Sequence, residues 1–328
     1  PCLTHMASNA SGDMNLQPYL NFAKQLAYRA GRITLSYYNK GIQHDLKKDE
    51  SPVTAADRAT EEFIRGEIEK AYPTHAIVGE EFGESPSPGG RGARGEGDSA
   101  FRWILDPIDG TKSFLKGVPF YSVLIALEIE GKSRVGVVCF PALDEILYAA
   151  DGLGAWWNGK RARVSEVKNL KEAVFTYTSW SGFRTKKRLD VFNNLHKECF
   201  FARGWSDAYG YHMVATGRAE IMLDPSIKIW DVAPFPPIFR EAGGFALLAA
   251  AINKEREKAK GGAMLVNVGD TIHGAAVAEW TQGAGIVPVV NRLGIDVFVP
   301  GNWEFAYGPD AFRQRMSELN HPVAAINL

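Results

Sequence analysis

Apolar residues recur at helical spacing near the start of the chain. Over residues 16–38 they fall at Leu16, Leu20, Ala23, Ala27, Ala30 and then Thr34 or Tyr37. Because residues three and four positions apart share one face of a helix, this spacing predicts an amphipathic helix. A second pattern of the same kind predicts a helix over 57–71, which Pro73 would end.

Short apolar runs follow these helices and predict buried strands. Residues 76–78 form one run, which ends at Gly79-Glu80-Glu81, and residues 102–105 form another, which ends at Asp106. Residues 85–99 between them are rich in Gly, Pro, Ser and Arg, which predicts an exposed loop.

The middle of the chain favours strands, and the later part alternates strands with helices. A hairpin is predicted over 122–130 and 134–140, and further strands over 146–150 and 154–157. After residue 170 the predicted order is strand 174–178, helix 186–197, helix 207–217, strand 220–223 and a helix from about Asp231. This order predicts an α/β fold of layered sandwiches, with sheets between helices.

Composition narrows the kind of partner. The chain has 328 residues, of which 45% are hydrophobic, enough for one large core or two domains. A net charge of −1 offers no global field for nucleic acid or an anionic membrane surface, so a small molecule is the expected partner. No apolar run approaches the ~20 residues that span a bilayer.

Two further features concern the compartment and the start of the chain. Cys2, Cys139 and Cys199 are widely spaced and match neither a zinc site nor a disulfide framework, which favours a reduced, cytoplasmic protein. Residues 1–13 resemble a cloning tag or a disordered end and are left out of the predicted domains.

The segment from Trp103 to Thr111 carries the most informative chemistry. Asp106 and Asp109 follow a buried strand and would repel each other unless a cation lay between them. Hard oxygen ligands favour Mg²⁺. Gly110-Thr111 then offers backbone N–H groups and a hydroxyl to a phosphate. Taken alone, each Asp could be a turn, Glu80-Glu81 a solvated loop and Asp231 a helix cap.

Four motifs in this order resemble the inositol monophosphatase-like superfamily. They occupy residues 51–57, 79–81, 103–111 and 230–233, the last followed by Glu241-Ala242-Gly243-Gly244. The resemblance covers residues 14–245 and implies the layered αβαβα sandwich of the sugar phosphatases.

The resemblance also implies a site. Its metal ligands would be Glu80, Asp106, the carbonyl of Ile108, Asp109 and Asp231. Asp57, Glu80 and Thr111 would orient a metal-activated water, and Gly110 and Thr111 would hold the phosphate. The implied enzyme is a Mg²⁺-dependent phosphoric monoester hydrolase that forms no covalent intermediate with its substrate.

Further stretches are similar to histidinol-phosphate phosphatases within that superfamily. They lie at residues 110–114, 119–127, 204–209, 213–217 and 224–225. The likeness implies that Asp207 or Asp224 contacts the substrate and would suit a cationic amine, although each could instead be a turn or a helix cap. Histidinol phosphate, and with it histidine biosynthesis, is the first expectation, and inositol monophosphate is the second.

Residues 246–328 resemble a different family, the calcineurin-like metallophosphoesterases and in particular bacterial 5′-nucleotidases. Asp270 and Asn302 would be ligands there, but two ligands cannot hold a dinuclear metal centre. We therefore expect an additional C-terminal α/β segment, joined to the first domain by a natural fusion, a frameshifted gene or a deliberate chimera. Its strand and helix at 263–267 and 271–280 could instead complete the second sheet of the first domain.

Three functional hypotheses follow: an active Mg²⁺ phosphatase, a nucleotidase-like enzyme working from the C-terminal segment, and a catalytically inactive fused scaffold. Three prolines lie where the helix of Asp231 is expected: Pro234, Pro236 and Pro237. They bear on the choice between these hypotheses, because an interior proline costs a helix ~3 kcal/mol. The sequence leaves a homodimer open.

Overall fold

A computed structural model describes most of the chain. The described residues are 14–41, 44–46, 52–85, 100–205, 207–225, 227–243, 266–267, 287–292, 297–298 and 308–320. The predicted loop at 85–99 lies almost entirely outside them.

Two helices form the first layer. Helix α1 (Gln17–Tyr37) buries the predicted stripe, ending at Thr34, together with Leu26. Helix α2 (Ala55–Ala71) starts two residues before the predicted position, because the Thr54 hydroxyl accepts from the backbone N–H of Asp57 while the Asp57 carboxylate accepts from that of Thr54.

An eight-stranded sheet lies against these helices. Its strands, in spatial order, are β10 (Lys160–Arg161), β9 (Gly154–Trp157), β8 (Glu145–Ala150), β7 (Lys132–Phe140), β6 (Ser122–Ile129), β5 (Phe101–Asp109), β3 (Ala76–Gly79) and β4 (Gly83–Ser85). Strands β3 and β5 are parallel, and the other neighbours are antiparallel. Strands β1 (His44–Leu46) and β2 (Pro52–Thr54) form a separate antiparallel pair.

The predicted end of β5 at Asp106 is wrong. The strand continues to Asp109 through an irregularity in its pairing with β6, where the register shifts between Asp106 and Asp109. A bulge of this kind bends a strand without ending it and re-aims its side chains. Pro107 is tolerated inside the strand at this irregular position.

Helices and a second sheet complete the predicted αβαβα layering. The second sheet is parallel and consists of β12 (Phe201–Arg203), β11 (Val174–Tyr177) and β13 (Ile221–Leu223). Helices α6 (Asp207–Ala215) and α8 (Phe235–Ala242) lie between the two sheets. Helix α5 (Leu189–Glu198) corresponds to the helix predicted near 186–197, whereas α4 (Trp180–Thr185) is not predicted from the sequence. Both pack against β11 through Phe175, Phe183 and Phe192.

The prolines divide the helix predicted from Asp231. Helix α7 (Ile229–Val232) has four residues, and α8 begins immediately after Pro234 with Pro236 and Pro237 in its first turn. Proline is tolerated there because a first-turn N–H has no partner within the helix. The break therefore avoids the cost of an interior proline.

The described C-terminal pieces form their own contacts. Strands β14 (Val266–Asn267) and β15 (Val297–Phe298) pair in parallel. The Asn291 side chain of α9 (Val287–Arg292) donates to the Glu318 carbonyl, which follows α10 (Pro309–Ser317), at 2.8 Å. Residues 271–280 lie outside the described part, so completion of the second sheet by this segment stays a prediction.

Two remaining sequence predictions concern cysteines and membranes. Cys139 and Cys199 are free, buried thiols, and Cys2 lies outside the described residues. Among the described helices none is both long and apolar enough to cross a membrane.

Candidate active site

The parallel pairing of β3 and β5 brings the first two acidic motifs together. Gly79 pairs with Leu105, and the backbone N–H of Glu80 donates to the Leu105 carbonyl at 3.3 Å. Glu80, directly after β3, therefore lies beside Asp106, within β5. The parallel register of the two strands brings these residues of separate segments together.

Asp231 joins the two aspartates of β5. One carboxylate oxygen from each of Asp106, Asp109 and Asp231 lies within 4.8 Å of the others. Asp106 and Asp109 are 2% and 6% exposed. Helix α7, which carries Asp231, contacts β5, so the bulged strand and this short helix together build the cluster.

Backbone and hydroxyl donors fix the orientation of each carboxylate. Asp106 Oδ1 accepts from the N–H of Ile108 at 3.0 Å. Asp109 Oδ2 accepts from the N–H of Ala208 at 2.8 Å and from Ser122 Oγ at 3.2 Å. Asp231 Oδ2 accepts from the N–H of Lys228 at 2.7 Å. The cluster is thus held by its own elements.

Burial raises the pKa of all three carboxyl groups. Desolvation is the largest cause for Asp106, and the nearby Glu80, Asp109 and Asp231 raise its pKa further. Desolvation and then the charge of Asp207 raise the pKa of Asp109. The pKa of Asp231 is raised to about 7, again mainly by desolvation.

Carboxyl groups can lie this close together only if they are protonated or if a cation lies between them. Their donors are hard oxygens, which suit Mg²⁺, Mn²⁺ or Ca²⁺ better than softer metals. The cluster therefore fits a divalent cation.

Gly110 and Thr111 follow the bulged strand directly. Gly110 has φ +78°, and a Cβ there would lie 2.9 Å from Asp207 Oδ2, so both conformation and space favour glycine. Thr111 begins α3 (Thr111–Leu115), and its hydroxyl donates to the Ile108 carbonyl at 3.1 Å.

Asp57 is fully buried at the start of α2. Its Oδ2 accepts from the backbone N–H and the hydroxyl of Thr54, at 2.7 and 2.6 Å. Asp57 is therefore a helix cap, and its predicted action on water through Thr111 stays a prediction.

A cavity of about 280 Å³ opens over the cluster. It is lined by Glu80, Asp106, Ile108, Asp109, Gly110, Thr111, Lys112, Thr178, Ser179, Gly182, Asp207, Asp224, Pro225 and Asp231. The structure thus brings the predicted site residues together, with Asp57 capping the adjacent helix. Among the described lining residues, the charged side chains are six carboxylates and one lysine.

Sequence reasoning missed several residues of this region. Thr178 donates to Asp224 Oδ1 at 3.1 Å, and Ser122 supports Asp109 from the neighbouring strand. Ser122 opens an apolar strand and pairs with Asp109 in register. Its polar side chain was a visible signal, but only the strand register shows what it contacts.

Comparison with known proteins identifies the family of this fold and site. The model of the inositol monophosphatase family matches residues 15–272. The chain belongs to the inositol monophosphatase family. The match extends past residue 245, so the family includes more of the chain than the sequence motifs predict, and no comparison supports a calcineurin-like segment.

Relatives within the inositol monophosphatase family carry different names. The histidinol-phosphatase of Chlorobaculum parvum is 41% identical over 230 residues, which cover 70% of this chain and 85% of that protein. A fructose-1,6-bisphosphatase/inositol-1-monophosphatase of Aquifex aeolicus is 34% identical, with 70% and 85% covered.

A solved structure, the extragenic suppressor protein suhB of Bartonella henselae, matches with a TM-score of 0.63 and 34% identity, covering 69% of this chain and 85% of that one. These likenesses establish a phosphatase, an enzyme of the hydrolase class, with the fold described above. They leave the substrate open, because the relatives differ in name.

Proposed function

We propose that this phosphatase hydrolyses a small phosphate monoester with Mg²⁺, and that its substrate carries a cationic amine, histidinol phosphate being the first candidate. The observation that carries the proposal is the charge of the cavity, where six carboxylates and one lysine are the charged groups among the described lining residues. A phosphate dianion cannot enter such a cavity unless cations offset the carboxylates.

The metal ligands we propose are Glu80, Asp106, Asp109, Asp231 and the carbonyl of Ile108. All five residues line the cavity, and three of them, Asp106, Asp109 and Asp231, form the aspartate cluster. These residues would hold Mg²⁺, which would supply acidification of a water and neutralisation of charge on the phosphate and the leaving oxygen.

Other groups of the chain bind and orient. The backbone of Gly110 and Thr111 leaves the bulged strand at the cavity and offers N–H donors to phosphate oxygens. We assign Glu80 and Thr111, with Asp57 acting through Thr111, to orienting the attacking water. Asp57 is fully buried in the first turn of α2.

Asp207 and Asp224 are the proposed contacts for the amine. Both residues line the cavity. Asp207 raises the pKa of Asp109, and both residues raise the pKa of Asp231. The proposed metal ligands are Glu80 and the three clustered aspartates, so Asp207 and Asp224 are further negative charges at the cavity. A protonated amine on the substrate would balance them.

The test is phosphate release from a matched panel: histidinol phosphate, inositol monophosphate, fructose 1,6-bisphosphate and a nucleoside 5′-monophosphate, each with Mg²⁺ or with chelator. We expect Mg²⁺-dependent release, fastest from histidinol phosphate. Asp207→Asn and Asp224→Asn should lower kcat/KM for histidinol phosphate more than for inositol monophosphate.

Other outcomes of the panel are equally informative. Inositol monophosphate is the second candidate, favoured by the name of the Aquifex aeolicus relative. Equal losses on both substrates would remove the amine contact from the proposal. Absence of release from any member of the panel would support the inactive scaffold, and release only from the nucleotide would support the nucleotidase-like alternative.

A further inference from the structure

A buried ion pair on α2 lies beneath the turn that carries Glu80. Glu61 and Arg65 are one helical turn apart, with Arg65 Nε 2.8 Å from Glu61 Oε1 and side-chain exposures of 0% for Glu61 and 9% for Arg65. Neither residue lines the cavity. Both face the β3–β4 hairpin, which has Glu80 at the start of its turn.

The pair binds the backbone of this turn at several points. Glu61 accepts from the N–H of Glu81 at 2.7 Å through Oε2 and from the N–H of Phe82 at 3.2 Å through Oε1. Arg65 donates to the Gly83 carbonyl and, at 2.9 Å, to Ser85 Oγ. The turn is therefore fixed by a carboxylate on one side of its tip and a guanidinium on the other.

Gly79 allows the carboxylate to approach. A Cβ at this position would lie 2.0 Å from Glu61 Oε1, far inside any real contact. Gly79 lies in regular strand, so its backbone conformation does not require glycine. The Glu61 side chain of α2 requires it, because there is no room for a Cβ. This contact explains why glycine precedes the two glutamates.

Stability alone is a weak reason for such a pair. Desolvation of two charges offsets much of their attraction, and apolar residues of similar volume often replace buried pairs without loss. What an apolar pair could not supply is a set of charge-assisted hydrogen bonds directed at one backbone conformation. The hydrogen bonds fix the residues directly after Glu80.

We propose that Glu61 is a positioning residue, which holds the turn so that Glu80 points at the buried aspartates. This inference rests on the proposed role of Glu80 as a metal ligand. Glu61 touches neither substrate nor metal. Its effect passes through the backbone of Glu81 and Phe82 to the side chain of Glu80.

Two variants remove the contact from opposite sides. Glu61→Gln keeps the size of the side chain, but its amide nitrogen cannot accept, so a backbone N–H of the turn loses its partner. Gly79→Ala leaves Glu61 intact and pushes its carboxylate away with one methyl group. Asp151→Asn is the control, because Asp151 also binds two arginines, Arg134 at 2.6 Å and Arg240 at 2.8 Å, and does not line the cavity.

The measurements are Mn²⁺ binding by electron paramagnetic resonance, kcat at saturating Mg²⁺, and folding by circular dichroism. Loss of an outer contact to a metal ligand typically weakens metal affinity 10–100-fold, so we expect about tenfold or more for Glu61→Gln and Gly79→Ala. We expect kcat at saturating Mg²⁺ to recover most of its value, and Asp151→Asn to bind Mn²⁺ as wild type does. The two effects should be non-additive in the double variant, because both act on one contact.

Folded Glu61→Gln and Gly79→Ala variants that bind Mn²⁺ with wild-type affinity would overturn the positioning role. So would an equal loss of affinity in Asp151→Asn. If Glu61→Gln does not fold, Gly79→Ala decides alone, and failure of both to fold assigns Glu61 to stability. A wild-type protein that binds no Mn²⁺ would instead overturn the proposed metal site.

Discussion

At the scale of single residues, environment decides what each carboxylate can do. Asp106, Asp109 and Asp231 differ little in chemistry from the exposed aspartates of the surface. Burial and mutual repulsion raise their pKa, and this makes them a site for protons or a cation. Asp57, which is fully buried, accepts hydrogen bonds from Thr54 instead and caps a helix.

Asp109→Asn tests the residue at the centre of the cluster. We expect turnover with Mg²⁺ to fall by about a hundredfold or more, as when one electrostatic group is removed from an active site. Without metal the variant should be more stable than wild type, because a raised carboxyl pKa means that folding costs free energy to bury its charge. Steady-state kinetics and urea unfolding in chelator measure the two effects, and an unchanged turnover would contradict the role.

The metal-free protein should lose stability as pH rises through the folded-state pKa of Asp231. Its pKa is raised from 3.8 to about 7, so between these values the folded state binds more protons than the unfolded state. The stabilisation is complete below pH 3.8 and is lost as pH rises to about 7. Urea midpoints at pH 5 and pH 7.5 in chelator measure it.

Two comparisons isolate this contribution. Asp231→Asn should show a smaller fall of the urea midpoint than wild type over the same pH interval. Added Mg²⁺ should oppose the fall, because a cation binds the deprotonated carboxylates. The prediction would be contradicted if, between pH 5 and pH 7.5, the wild-type urea midpoint in chelator rose as much as it does in Mg²⁺.

At the scale of elements, strand pairing creates the site. Parallel β3 and β5 place Glu80 beside Asp106, and the bulge lets β5 continue from Asp106 to Asp109. Helix α2 supports this edge of the sheet twice, with Asp57 at its start and the Glu61–Arg65 pair one turn later.

The end of α2 is fixed to the same strands by His75. Its ring stacks between Tyr72 and Phe101, with centroid distances of 4.8 and 4.6 Å, and Nδ1 is 3.0 Å from Trp103 Nε1. We expect His75→Ala to lower the free energy of unfolding by about 2–4 kcal/mol, since it removes ring contacts and leaves the buried indole N–H without its acceptor. Urea unfolding measures the change.

Trp103→Phe provides the matched background for that measurement. Without the indole donor, His75→Ala should cost less, by about 1 kcal/mol or more. Equal costs in both backgrounds would show that the hydrogen bond contributes nothing. Activity per folded molecule should stay unchanged in both variants, because neither ring lines the cavity.

At the scale of the whole molecule, the cavity lies where the layers meet. Asp106 and Asp109 come from the eight-stranded sheet, whereas Asp207 begins α6 between the sheets and Asp224 follows a strand of the second sheet. The proposed metal ligands Asp106 and Asp109 thus come from a different layer than the proposed substrate contacts, whereas the proposed ligand Asp231 comes from α7.

The C-terminal part gives the prediction at this scale. Asp270 and Asn302, the candidate ligands of a second metal site, lie outside the described residues. We expect Asp270→Ala to change Mg²⁺-dependent phosphatase activity little, because two donors cannot hold a dinuclear centre. Asp106→Ala should abolish that activity. The reverse result would move the function to the C-terminal segment.

Local patterns along the chain were enough to predict the first two helices and the strands that precede the acidic motifs. Helical spacing predicted the buried face of α1, and the apolar runs before Glu80 and Asp106 predicted strands that carry carboxylates. These patterns are local, since period and composition can be read within a short window. The motifs, resembling a family in their order, also predicted Asp231 as a partner more than 100 residues away.

The groups that support those carboxylates become visible in the folded structure and not in the sequence. Ser122, the N–H of Ala208 and the Glu61–Arg65 pair act through strand register and helix packing. The bulge in β5 and the proline break between α7 and α8 likewise follow from where the chain must pass in the layers. Such contacts join residues that are distant along the chain, and no local pattern of polarity specifies them, because hydrogen bonding and burial depend on what the fold brings near.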